Sequence, residues 1–211
     1  MGKPRHRRKG GRQAPFPAGI APATARDYLR PMTAETIPEA DDRLRILIAP
    51  DPVLRRHARA VAGSDAEAVR ALIPRMFSAM YAAPGIGLAA PQVGVSLRLA
   101  VIDLQREEKP TPLVLINPEI VAASRETEVH EEGCLSLPGQ YADVTRPSVV
   151  TIRYIDEAGA RQQVVADGLL GRCIQHEIDH LDGRLFVDHL SALKRSMILR
   201  RLAKAQRTKE G

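Results

Sequence analysis

A chain of 211 residues, 44% apolar and 27% charged, is long enough for one or at most two packed domains and reads as a globular protein in water. Its apolar runs, such as residues 99–102 and 112–116, last only a few positions, far short of the roughly 18 that a membrane span needs. Two cysteines exclude a disulfide scaffold and point to a reduced, cytoplasmic compartment, and seven aromatic residues without a Trp argue against a protein that stacks single-stranded bases.

The net charge of +6 is unevenly spread. Residues 1–31 hold eight basic residues against one acidic, whereas residues 32–211 hold 23 basic and 24 acidic. The body of the protein is therefore close to neutral. The first 42 residues are rich in Pro, Gly and Arg and lack apolar periodicity, which predicts a disordered basic tail. Such a tail suits RNA or another acidic surface. A transit peptide fits less well, because the first Ser is Ser64. A third reading gives the tail little function and starts translation at Met32.

From residue 43 the chain reads as folded. Residues 44–49 form a short apolar run that suits a strand, closed by Pro50-Asp51-Pro52. Ser64 and Glu67 make a capping box. After them Val69, Leu72, Ile73, Met76, Phe77 and Met80 recur at helical spacing, predicting a helix over 64–82 that Pro74 bends. A glycine-bearing loop, 85–92, follows. Strands are expected at 97–104, 113–117, 120–130, 141–145, 149–156 and 161–166, with Glu157-Ala158-Gly159 as a hairpin turn. Asp167 is placed to cap a helix running to about Leu181, and Gly183 stands just past its end. Ser191 caps a final basic helix over 191–211. The class is α+β, with residues 43–190 as one folded domain and the last helix part of it.

His176-Glu177-Ile178-Asp179-His180 is an HExxH pattern inside the predicted helix. Histidines four apart lie one turn above each other, so both imidazoles can reach one metal ion, with Glu177 beside them to hold water. A catalytic metal site needs a third protein ligand and an open position. In the pattern HExxHxxGxxH that ligand is a downstream His. Here Gly183 fits, but Phe186 occupies the ligand position, and the only downstream Glu is Glu210. Upstream, Cys134 in Glu132-Gly133-Cys134-Leu135-Ser136 offers a thiolate. Cys173 is the rival, but it shares a helix with both histidines, and three ligands from one helix would crowd the ion; it reads as core packing.

Three motifs, Gly85-Ile86-Gly87-Leu88-Ala89-Ala90-Pro91-Gln92, Glu132-Gly133-Cys134-Leu135-Ser136 and Gln175-His176-Glu177-Ile178-Asp179-His180, stand in this order with long gaps between them. In this the sequence resembles the peptide deformylases of bacterial type, over about residues 44–204. The resemblance implies a fold of antiparallel sheets packed around a central HExxH-bearing helix. It implies removal of the N-formyl group from the initiator methionine of nascent polypeptides, releasing formate. Cys134, His176 and His180 match the metal ligands, Glu177 the general acid/base, and Gln92 and the backbone N–H of Leu135 the groups that stabilise the oxyanion. The implied metal is Fe(II), with Zn, Ni or Co as substitutes; zinc lies above iron in intrinsic affinity, so supply must help decide.

The formyl-methionine needs an apolar slot and backbone partners. Ile86, Gly87, Gly133, Leu135, Tyr141 and Cys173 are the expected substrate contacts, with Leu169 and Ile174 as further walls. The glycines let an extended peptide approach as an added strand. Glu132 is expected to pair with Arg146, and Asp179 to orient a ligand histidine. Where several members of the family carry an Arg after the cysteine loop, this chain has Tyr141. The last helix carries Lys194, Arg195, Arg200, Arg201, Lys204, Arg207 and Lys209, a run that usually marks a solvated face; the resemblance implies that this helix docks a monomeric enzyme on the ribosome, where a basic face favours RNA. Two other readings compete. An HExxH endopeptidase would cleave internal peptide bonds and ignore Cys134, and an RNA- or ribosome-binding protein with a vestigial site would not need Glu177.

Overall fold

The computed structural model describes residues 44–105 and 111–210. The expected basic tail and the alternative start at Met32 lie outside them. Helix α1 spans Ala66–Ala82, α2 Gly168–Leu181 and α3 Ala192–Glu210. A five-stranded antiparallel sheet has the order β1 (Gly87–Ala89), β2 (Leu99–Ile102), β3 (Leu113–Ala123), β6 (Val149–Ile155) and β7 (Arg161–Asp167). The hairpin of β4 (Thr127–Gly133) and β5 (Tyr141–Pro147) forms a second sheet. No helix among the described residues is long and apolar enough to cross a membrane.

The alternation of side chains along β2 explains the layering. Leu99 and Val101 face α1, packing with Met76, Phe77 and Met80. Ala100 and Ile102 face the other way, onto Ile174, Ile178 and Leu181 of α2. All four are buried, as a strand covered on both faces requires. A third cluster joins Ile198 and Leu202 of α3 to Leu54, Leu137, Val144 and Phe186. The fold is thus α+β, antiparallel sheets around the helix that carries HExxH.

Several elements differ from the sequence reading. Residues 44–49 form no strand: the Leu47 N–H donates to the Gln92 carbonyl (2.7 Å) and the Ala49 N–H to the Ser136 carbonyl (2.9 Å), so the run is a strap across two loops rather than part of a ladder. Ser64 does not cap α1. The Asp65 carboxylate takes the Ala62 N–H (2.8 Å) and both Arg59 Nη groups, and the helix begins one residue later. Helix α1 then continues through Pro74.

The expected strand ends at 117 and 120 join into one strand, β3, with a bulge between them. Asn117 adopts φ +51° there, and its side chain bonds both the N–H (2.8 Å) and the C=O (2.9 Å) of Val61. The break comes later, at the 124–126 turn, so β4 is a separate strand. Loop 85–92 is partly regular, with Gly87–Ala89 forming β1 and Ala90–Val93 a 3-10 turn. Asp167 occupies the N-cap position of α2, but its side chain makes no capping bond. Gly183 follows that helix at φ +72°, and Ser191 does cap α3, its Oγ accepting the Lys194 N–H at 3.4 Å.

Candidate functional site

Helix α2 begins hard against the end of β7: a Cβ on Gly171 would lie 2.8 Å from the Ala166 carbonyl oxygen. That close approach buries the helix and carries His176, Glu177 and His180 into the interior. The imidazoles of His176 and His180 meet edge to face with centroids 4.9 Å apart. Cys134, in the loop just after β4, comes from the other sheet, its Sγ 3.2 Å from His180 Nε2. One donor atom from each of Cys134, His176 and His180 lies within 4.8 Å of the others.

The second nitrogen of His176 is held from β4, Nδ1 donating to Glu132 Oε2 at 2.9 Å. That bond fixes the tautomer and leaves Nε2 as the lone-pair donor. Glu132 is gripped in turn by Arg146, through Nε at 2.5 Å and Nη2 at 3.0 Å, the pair expected from the sequence. Asp179 does not orient either histidine of the pair. It accepts from Arg146 Nη1 (2.8 Å) and His189 Nε2 (2.7 Å), because position 179 turns it towards β5.

Electrostatics separate the two cysteines. Burial raises the Cys134 thiol, but the adjacent His180 and His176 outweigh it and hold the group well below its ordinary value, as a thiolate. Burial and the nearby Glu177 carboxylate both raise Cys173, which stays a thiol. Its Sγ points at the Ile86 carbonyl, 3.8 Å away, and it stands outside the donor cluster. Burial also pushes the Glu177 carboxyl up to about 7, against the pull of both histidines. Glu177 Oε2 is buried with no hydrogen-bond partner among the described residues. A thiolate and two imidazoles form a donor set that fits a divalent transition metal, with the unpartnered Glu177 Oε2 buried beside it.

Gln92 lies beside the thiolate. Its Oε1 accepts the Ala89 N–H at 2.8 Å, which settles the amide's orientation. Nε2 therefore faces the cysteine loop, 3.6 Å from Cys134 Sγ and 3.2 Å from Ser136 Oγ. Ser136 was visible in the sequence only as a motif member. Fully buried, it also donates its N–H to Cys134 Sγ at 3.4 Å, a third contact on the sulfur.

Gln92, Cys134, His176 and Glu177 line the floor of a cleft of about 590 Å³. Ile86, Leu135, Leu169 and Cys173 wall it, and Gly87, Gly133 and Tyr141 line it too. The Tyr141 ring covers Gly133, where a Cβ would lie 2.5 Å from a ring carbon. Ile174 faces away from the cleft, fully buried between α2 and the sheet, so it is no wall of the slot. Arg172, one turn before His176, lines the cleft; its charge carried no motif signal in the sequence. Among the described residues β1 is an edge strand and β4 pairs with β5 alone, and Gly87 of the first and Glu131–Gly133 of the second line the cleft.

The family model for polypeptide deformylase matches residues 43–196. A peptide deformylase of Agrobacterium fabrum is 52% identical over 165 residues, covering 78% of this chain and 96% of its own. One from Rhizobium meliloti is also 52% identical, over 78% of this chain and 94% of its own. Among solved structures, a peptide deformylase from Legionella pneumophila superposes with TM-score 0.74 at 48% identity, covering 80% of this chain and 98% of that one. Another, from Synechococcus elongatus and solved with actinonin, gives TM-score 0.70 at 50% identity, over 75% and 86% of the two chains. The match spans all three motifs and both sheets around α2, and the chain belongs to the polypeptide deformylase family.

Proposed function

We propose that Cys134, His176 and His180 hold a divalent metal ion, and that Glu177, Gln92 and the Leu135 N–H act on the formyl group beside it. The enzyme is a peptide deformylase: it removes the N-formyl group from the N-terminal methionine of newly made polypeptides and releases formate. The observation that carries the site assignment is the convergence of three donor atoms within 4.8 Å beside a buried, unpartnered carboxylate. Fe(II) is the ion we assign, with Zn, Ni or Co able to substitute. Bound there, such an ion supplies Lewis acidity and makes hydroxide available near neutral pH.

The protein's own groups do the rest. Glu177, raised to about 7, takes the proton of the attacking water and delivers it to the leaving nitrogen as the formyl C–N bond breaks. Negative charge develops on the formyl oxygen, and the Gln92 amide and Leu135 N–H donate to it. A neutral amide donates without titrating, which suits this position. The methionine side chain enters the slot between Ile86, Leu135 and Cys173. The peptide backbone runs between the edges of β1 and β4, past Gly87 and Gly133, with Tyr141 at the rim.

Residues 43–190 form the catalytic domain and α3 belongs to it, a reading supported by the burial of Ile198 and Leu202. The enzyme acts as a cytoplasmic monomer, and the basic residues of α3 contact the ribosome, where its substrate emerges. The test of the core assignment is formate release from a formyl-Met tripeptide by protein loaded anaerobically with Fe(II), with Glu177→Ala beside it. Release lost in the variant supports the assignment. Release unaffected by the substitution overturns the role of Glu177, and no release by folded, metal-loaded wild type overturns the whole site.

A further inference from the structure

The contacts behind His176 do not end at Glu132. They form a ring that leaves α2 and returns to it. His176 Nδ1 meets Glu132 on β4 (2.9 Å), Glu132 meets Arg146 on β5 (2.5 Å), and Arg146 Nη1 meets Asp179 on α2 (2.8 Å), less than one turn from where the ring began. Arg146 is almost wholly buried, 5% exposed at its side chain, and Asp179 13%. Through this ring the hairpin that delivers Cys134 is locked to the helix that delivers both histidines. The spacing of thiolate to imidazoles is therefore set by it rather than by either element alone.

The ring has one connection outward. His189 lies in the short 3-10 turn Phe186–His189 that leads into α3, and its Nε2 donates to Asp179 Oδ2 at 2.7 Å. The same Oδ2 accepts from Arg146. A carboxylate that accepts two donors on one oxygen has its plane fixed by both. Without His189, Asp179 could rotate about χ2, and Arg146 would lose the anchor that squares it against Glu132.

We infer that His189 is a positioning residue for the metal centre: through Asp179, Arg146 and Glu132 it sets the imidazole that His176 presents to the ion. This rests on Cys134, His176 and His180 being the ligands, and it adds a dependence of that site on the turn before α3. His189 is not among the residues that line the cleft, and its ring nitrogen bonds Asp179. Its effect travels through three hydrogen-bonded residues, each in contact with the next.

The test is Co(II) binding by the full chain, followed by the thiolate-to-cobalt absorption band and by competition with a chelator. The variants are His189→Ala and His189→Gln, the latter keeping an N–H donor. Removal of an outer partner of a ligand typically costs 10–100-fold in metal affinity. His189→Ala is expected to lose about tenfold in Co(II) affinity and to shift the band, while the metal-free protein keeps its melting temperature. His189→Gln is expected to restore both readings. An unchanged affinity and band in His189→Ala overturn the inference, as does a loss that merely tracks a lower melting temperature of the metal-free protein. Wild type lacking the thiolate band would instead overturn the ligand assignment beneath it.

Discussion

Gly87 packs directly against Glu177: a Cβ at position 87 would strike the Glu177 carboxylate and lie 2.8 Å from Cys173 Sγ. Both neighbours are buried on α2, and of the two the Glu177 carboxylate, at the end of its side chain, is the one that must give way. Gly87→Ala is therefore expected to displace the carboxylate. A misplacement of about 1 Å in a catalytic group costs on the order of 100-fold in rate. Steady-state kinetics should show that loss in kcat, with destabilisation held to the roughly 1–3 kcal/mol of local overpacking by urea titration.

Gln92 allows its two ends to be tested separately. Oε1 is engaged by the Ala89 N–H, and Nε2 faces the cysteine loop. Gln92→Glu keeps the acceptor and removes the donor. The expected result is a fall in kcat on the order of 100-fold or more, with a lower melting temperature as well, because a buried carboxyl then faces the Cys134 thiolate.

The buried pair of Arg146 and Glu132 should dominate the response to acid. Burial raises the Glu132 carboxyl, but the bonds from His176 and Arg146 outweigh it and hold it at about 2, against an ordinary 4.5. A folded value below the unfolded one stabilises the fold above about pH 4.5 and ceases to do so as pH falls towards 2. Asp179 is lowered too: its burial is outweighed by His189 and Arg146, which adds in the same direction. Thermal melts should show that decline, and Glu132→Gln should flatten it. Arg146→Met leaves two buried carboxylates without their cation and is expected to cost about 3–5 kcal/mol near neutral pH.

Leu202 tests whether α3 is integral. It is 2% exposed and packs in the cluster with Leu54 and Phe186. Leu202→Ala is expected to destabilise the protein by about 2–5 kcal/mol in a single cooperative transition. A separate, earlier transition would place α3 outside the catalytic unit.

The site was more legible in the sequence than the elements around it, and the reason is local. His176 and His180 share a helix, so spacing alone puts them on one face. Cys134 was named by elimination, since Cys173 shares the histidines' helix, and by its motif, because nothing in a loop's composition says which way a sulfur points. The Glu132–Arg146 pair was visible as opposite charges, but the destination of Asp179 was not: a helix offers it neighbours on two sides, and only the position of β5 decides. The same limit explains residues 44–49 and the Ser64 cap. An apolar run looks alike as strap or strand, and the bonds from the Ala62 N–H and Arg59 that make Asp65 rather than Ser64 the first residue before α1 come from outside the helix pattern. Asn117 shows the converse, a side chain bonding Val61, 56 residues away in the chain, and turning an apparent strand end into a bulge.

The residues that converge at this centre are far apart in the order of synthesis. Cys134 and His180 stand 46 residues apart, and Gln92 stands another 42 before Cys134. A chain made from its N-terminus presents the amide first, the thiolate next and both imidazoles last. Unfolded segments seldom hold a preformed site, so capture of the ion waits for α2 to leave the ribosome and dock on the sheet. Loading with metal thus comes near the end of this enzyme's own birth, and any product cut short before α2 would be an inert shell.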